Sequence, residues 1–194
     1  MSWILNLLSG LPNRVAAQNM IIAAGAPNIV GPFDVRSAKA VWKEGDLAGN
    51  LFDGRYVTVR DPQCADPAIV ASSLRQSCET ALGAVRDNET GNIIFRNPLP
   101  GQRGTFGQNN ITGQGSWTTD MAISKRFQIR EGVGFQIRID ATNIFNHPEP
   151  LGSATGMFGP AESANLSINS ATPFGQLSEK TGNRTFQMKM RVEF

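Results

Sequence analysis

The chain has 194 residues, enough for one domain with a substantial core. Its formal net charge is +2, with Lys and Arg scattered rather than clustered, so the composition implies neither a nucleic-acid partner nor a strongly acidic one. Charged residues are 18% of the chain, below the roughly 25% usual in soluble domains, and no window approaches the ~20 apolar residues of a membrane helix. A strand-built membrane protein stays open, because barrel strands are short and alternate in polarity.

Trp3 to Leu8 is a short apolar stretch that ends at the turn signal Ser9-Gly10-Leu11-Pro12, and it reads as a strand. The first ten residues lack a basic start and are interrupted at Asn6, so they are not read as an export signal. An exported chain without such a signal is expected to continue upstream of Met1, and the sequence therefore reads as a fragment. Residues 13 to 62 look irregular, with strand candidates at Val35–Trp42 and Tyr56–Val59. Asp66-Pro67 then predicts a helix over 68–82, with Asp as cap, Pro in the first turn and a stripe of Ile69, Val70, Leu74, Cys78 and Leu82.

Cys64 and Cys78 are a candidate disulfide. A straight helix rises ~1.5 Å per residue. It would carry the pair beyond the ~7 Å Cα separation that a bridge tolerates. Bonding needs the chain before Pro67 to fold back, or the helix to start late; the spacing leaves both redox states open. Residues 96 to 116 are Gly-, Asn- and Pro-rich loop, without the GxxxxGK[ST] pattern of a phosphate cradle.

The chain becomes regular from Trp117. Met121, Ile123, Lys125, Phe127 and Ile129 alternate with Asp120, Ala122, Ser124, Arg126 and Gln128, a strand of about ten residues on the period of two. Arg130-Glu131-Gly132-Val133 reads as a tight turn. Phe135, Ile137, Ile139 and Ala141 then alternate with Gln136, Arg138, Asp140 and Thr142, which completes a hairpin. Residues 146 to 173 read as a long loop. In the last segment Phe186, Met188, Met190, Val192 and Phe194 face one way, and Gln187, Lys189, Arg191 and Glu193 the other.

Backbone polar groups in hydrocarbon must all be paired, so strands cross a membrane only as a closed barrel. Each strand then needs ~9–11 residues, apolar outside and polar inside. Three segments here meet that length and polarity. The fold class expected is therefore all-β: a long-stranded antiparallel sheet forming the C-terminal part of a transmembrane barrel, with one short helix in a long loop. The alternative is a soluble β-rich ligand-binding module, in which the apolar stripe of residues 186–194 is buried by a second sheet.

Four stretches carry a resemblance. They are Asn97-Pro-Leu-Pro-Gly-Gln-Arg-Gly-Thr-Phe-Gly-Gln-Asn, Trp117-Thr-Thr-Asp-Met-Ala-Ile-Ser-Lys-Arg-Phe-Gln-Ile, Phe135-Gln-Ile-Arg-Ile-Asp-Ala-Thr-Asn-Ile-Phe-Asn-His-Pro, and Phe174-Gly-Gln-Leu with the closing Asn183 to Phe194. Pro27 to Phe33 and Asp61-Pro-Gln-Cys add to them. In this order they resemble the C-terminal region of TonB-dependent outer-membrane receptors, especially the Oar-like subgroup with a carboxypeptidase-regulatory-like domain. The resemblance implies a 22-stranded barrel with a plug, located in the cell outer membrane. It implies energised uptake of siderophores, other metal chelates, vitamins or glycans. It implies contact with the TonB complex through a part upstream of Met1. It also implies that the stripe Phe186, Met188, Met190, Val192 and Phe194 is read by the barrel-assembly machinery. Residues 61–116, with the helix, are expected to be an extracellular loop insertion, where a disulfide suits an oxidising compartment.

No constellation for catalysis survives inspection, and no cofactor or metal is implied. His147, the single histidine, sits before Pro148 in a turn, without ligand partners in the sequence. Arg126, Arg138 and Arg191 are lumen candidates for an anionic substrate, weighed against a wall of cross-strand salt bridges. Trp3 and Trp117 are read as interfacial belt residues. Lys125 on the apolar stripe either snorkels to a membrane boundary or marks a bulge.

Overall fold

The computed structural model describes residues 1–10, 12–18, 25–43, 48–107, 110–147, 149–150, 164–177 and 180–194. The main strands are β1 (Ser2–Leu8), β2 (Tyr56–Arg60), β3 (Gly83–Asp87), β4 (Ile93–Arg96), β5 (Ser116–Arg130), β6 (Val133–Thr142) and β7 (Thr185–Glu193). One short helix, α1 (Arg75–Ala81), lies between β2 and β3. The chain divides into two compact units.

The first unit comprises Met1–Ser9, Gly115–Glu149 and Lys180–Phe194. It holds an antiparallel four-stranded sheet in the order β1-β5-β6-β7. The alternating sequences explain the register. Phe135 lies between Phe127 and Val192, Ile139 between Ile123 and Met188, and Arg138 between Ser124 and Lys189, so like faces align across the strands. Gly132, at φ 77°, supplies the left-handed residue of the turn between β5 and β6. A register shift between Val133 and Gly134 leaves Ile129 as the bulged residue. No bulge falls at Lys125, which pairs in register with Ile137. Strand β5 is longer than the ten residues expected, because Ser116 to Asp120 pair with Ile4 to Leu8 of β1.

The second unit comprises Gly10–Gln114 and Pro150–Glu179, the two long excursions from the sheet. Its sheet runs Asn28–Ile29, β4, β3, β2. Its core takes side chains from both excursions: Val15, Phe52, Tyr56, Phe95 and Phe106 from the first, and Leu166, Ile168, Phe174 and Leu177 from the second. Phe33 sits among the rings of Phe52, Tyr56, Phe95 and Phe106, with centroids 4.8 to 5.9 Å away. Phe52 stacks on Phe174 at 5.7 Å. Such ring pairs add to the area they bury.

A buried polar cluster also joins the excursions. Asn97 donates to the Gly83 carbonyl (2.7 Å), to Asn169 Oδ1 (2.8 Å) and to Asp61 Oδ2 (3.3 Å), while its own Oδ1 accepts from Asn169 Nδ2 (2.9 Å) and the Gln18 amide (3.0 Å).

Several expectations change here. The helix predicted over 68–82 is only Arg75–Ala81, preceded by a 3-10 turn at Ser72–Leu74. Ala71 is extended (ψ 143°), and Asp66 Oδ1 instead accepts from the Ala68 amide, closing a local turn. Cys64 and Cys78 form a disulfide with a Cα separation of 5.5 Å. This meets both conditions set by the spacing: the helix starts late, and residues 62–65 fold back as a 3-10 turn. Val35–Trp42 is not a strand; it contains a 3-10 turn at Val35–Ser37 and one bridge from Val41 to Asn50. Residues 61–114 belong to a unit that also includes residues from 10 onward and the second excursion, while Gly115 and Ser116 belong to the sheet unit. Residues 151–163 of the loop expected at 146–173 lie outside the described residues.

Two tests follow. Asn97→Leu removes the side-chain partner of the Gly83 carbonyl, the Asn169 Nδ2 and the Gln18 amide; each unsatisfied polar group costs about 1–3 kcal/mol. We expect the second unit to become protease-sensitive at temperatures where the parent resists, read by limited proteolysis. The second test concerns acid. Arg55 donates to the buried Asp87 carboxylate at 2.9 Å and holds its pKa below the usual range. A depressed carboxylate pKa stabilises the fold above the unfolded value, ~3.9, and that contribution is lost as pH falls below it. The parent should therefore lose thermal stability steeply below about pH 4, and Arg55→Met should flatten that acid limb in a melting series from pH 6 to 3.

Candidate functional site

The four-stranded sheet is the part of the chain whose two faces differ most. One face carries Leu5 and Leu7 of β1, Ile123, Phe127 and Ile129 of β5, Ile139 of β6, and Phe186, Met188, Met190 and Val192 of β7, all exposed. Phe186, Met188 and Met190 are 60%, 60% and 61% exposed, so nothing among the described residues buries the stripe as a soluble sandwich requires. Phe194 follows β7 at 96% exposure. A contiguous apolar face of this kind is a surface for hydrocarbon or for a partner.

Aromatic residues mark both ends of this face. At one end Phe145 lies 6.2 Å from Trp3 and 6.0 Å from Trp117, and His147 stacks on Trp117 at 4.3 Å. At the other, Phe127 and Phe135 stack at 6.5 Å. Trp117 and Phe127 stand ten positions apart on β5, which is ~34 Å along a strand. At the ~40° tilt of barrel strands this spans about 26 Å, close to the ~25 Å apolar band between aromatic girdles. Lys125 Nζ lies over the Phe127 ring at 5.3 Å, towards the short-turn end, as a snorkelling cation does.

The opposite face is ion-paired over β5, β6 and β7, while on β1 it carries the exposed Ile4 and Leu8. Asp140 accepts from Arg138 (2.8 Å) and Lys189 (3.5 Å). Glu193 pairs with Arg191 (3.3 Å) and, across β6, with Arg126. Gly134 leaves the path open for that last contact, since a Cβ there would stand 3.2 Å from Arg126 Nε. Arg126, Arg138 and Arg191, the three substrate candidates, are thus all engaged in cross-strand or same-strand pairs. Two carboxylates serve four cations, so this patch keeps an excess positive charge. Exposed pairs of this sort contribute little to stability each. Their value is in keeping the face wet.

The end of the sheet opposite the Arg130–Val133 turn is closed by a segment whose role is not evident from periodicity. Asn143, at φ 49° and 1% exposed, donates from its amide N–H to Asp120 Oδ1 (2.9 Å), and from Nδ2 to the His147 carbonyl (3.0 Å) and the Gly182 carbonyl. Asn146, at φ 51°, accepts from the Arg184 amide (3.1 Å). These two left-handed asparagines staple the exit of β6 to the entry of β7. The signal was present in the Asn-x-x-Asn-His spacing, since Asn tolerates that conformation best after Gly. His147 is an aromatic packing partner here, and no cluster of metal-ligating side chains occurs among the described residues.

The comparisons agree with this wall. A family model described as "Outer membrane beta barrel domain" matches residues 4–187. No curated protein and no solved structure matches the chain.

A charge on the apolar face at mid-band should be costly. Met188→Arg is expected to destabilise the membrane-inserted protein by about 2–4 kcal/mol, and Gln187→Arg on the other face by far less. Urea titration from lipid vesicles, followed by tryptophan fluorescence, reads the difference.

Proposed function

The chain belongs to the outer membrane beta barrel domain family, which places it in the outer membrane as part of a barrel, and on that premise we propose that it serves a receptor for energised, TonB-dependent uptake rather than an enzyme. The observation that carries this reading is the pair of long excursions. Both leave the sheet at the end away from the short turn: Leu8 pairs with Ser116, and Thr142 with Thr185. Both contribute to one core, and the same unit holds a disulfide. Barrels place long loops outside the cell and short turns in the periplasm. On this reading residues 10–114 and 150–179, including most of the 61–116 stretch, form an extracellular recognition unit. The disulfide suits that oxidising side.

The four stretches that resemble TonB-dependent receptors support the finer assignment, with siderophores, vitamins or glycans as the substrate class. The ion-paired face lines the water-filled interior, where its excess positive charge favours anionic cargo. The stripe Phe186, Met188, Met190, Val192 and Phe194 is the segment this reading offers to the barrel-assembly machinery. Four strands are half of the smallest barrel, so β1 and β7 pair at their outer edges with further strands of the same wall.

Cells producing the barrel that contains this chain should be tested for accumulation of a ferric siderophore, cobalamin and an oligosaccharide. Accumulation of one of them that disappears on deletion of the TonB complex, while surface binding persists, is the expected result. Accumulation indifferent to that deletion would reduce the protein to a passive barrel.

A further inference from the structure

The bulge at Ile129 changes which face the residue after it occupies. On parity alone Arg130 would join Arg126 and Gln128 on the ion-paired face. The register shift instead sets Arg130 opposite Val133, while Gln128 stays opposite Gly134. Val133 shares the parity of Phe135 and Ile137, so Arg130 stands at the short-turn end of the apolar row. Lys125, opposite Ile137, is the other cation of that row.

These two cations differ from the rest of the sheet in having no anion. Arg126, Arg138, Lys189 and Arg191 on the opposite face all pair with Asp140 or Glu193. Lys125 and Arg130 make no ion pair among the described residues, with Glu131 of the turn or with any other carboxylate. The Lys125 side chain instead reaches towards the turn and sets its Nζ over the Phe127 ring, 5.3 Å from the centroid. From the Phe127–Phe135 pair to the Arg130–Val133 pair is two ladder positions, ~7 Å. An arginine side chain spans that gap, so the ammonium and the guanidinium can meet on one phosphate-sized anion.

We propose that Lys125 and Arg130 form a headgroup site for an anionic phospholipid, of the phosphatidylglycerol kind, in the leaflet that meets the short turn. The lipid phosphate sits between the Lys125 ammonium and the Arg130 guanidinium, whose fork of N–H donors matches phosphate oxygens. The acyl chains run along Ile123, Ile139 and Met188, which share one row of the apolar face. Charge complementarity selects this occupant. The site offers two unmatched cations beside a hydrocarbon surface, and a zwitterionic lipid brings a cation of its own to the same place. The proposal rests on the barrel family and not on energised uptake, since lipid binding is read without transport.

The test uses the purified barrel that contains this chain, in detergent micelles titrated with phosphatidylglycerol or with phosphatidylcholine of the same acyl chains. Native mass spectrometry reads the affinity of the first lipid retained. Phosphatidylglycerol is expected to bind on the order of twentyfold more tightly, and Lys125→Gln and Arg130→Gln each to lower that preference about fivefold. Lys189→Gln, the same charge change on the opposite face, should leave it unchanged. Both tested positions are exposed, so the variants should keep the parent's thermal unfolding, which checks the fold. Equal retention of the two lipids by the parent overturns the proposal. So does a preference that survives the double substitution in a folded barrel, or one that falls as far with Lys189→Gln.

Discussion

Backbone hydrogen bonding is the constraint on which the rest depends. A strand in hydrocarbon has no water to satisfy its N–H and C=O groups, so every group must find a neighbouring strand. The registers of β1, β5, β6 and β7 do this across the sheet without a gap except at the Ile129 bulge, next to the short turn. Strand pairing in turn forces alternation. Once Phe127, Phe135 and Val192 share a row, Arg126, Arg191 and Glu193 must share the other face, and the charges fall where they can pair. The apolar band and the wet wall are two consequences of one register.

The same constraint governs the excursions, by a different route. An excursion of about a hundred residues carries many backbone groups and cannot remain a bare loop. Here residues from both excursions solve the problem jointly. Each supplies part of an aromatic core, and the Asn97–Asp61–Asn169 cluster satisfies the polar groups that the core would otherwise strand. The disulfide then pins α1, whose seven residues are too few to be stable alone. The membrane-crossing sheet and the excursions are thereby stabilised as separate units of one chain.

Polar side chains carry most of the specificity in both units. Asn143 and Asn146 hold the β6 exit to the β7 entry through left-handed backbone and side-chain amides. Asn97 holds one excursion to the other. Buried amides are used here as joints, since an unmatched one is expensive enough to define a single arrangement.

The sequence by itself determined the sheet. Period-two alternation at Met121–Ile129, Phe135–Thr142 and Phe186–Phe194 specifies strands, faces and register, because a one-residue slip would turn every side chain to the wrong medium. It also placed the turn at Arg130–Val133. The excursions were far less legible. The apolar residues at Ile69, Val70 and Leu74 imitate a helical stripe, yet turn bonding at Asp66 and the extended Ala71 confine the helix to Arg75–Ala81. Strands β3 and β4 are short and follow no clean alternation, because Ala84, Val85, Ile94 and Phe95 are buried irrespective of parity. The pairing of Cys64 with Cys78, and of Asn97 with Asn169, depended on contacts between segments distant along the chain. Only tertiary structure decides such contacts, since local pattern encodes which face a residue prefers but not which distant segment will cover it.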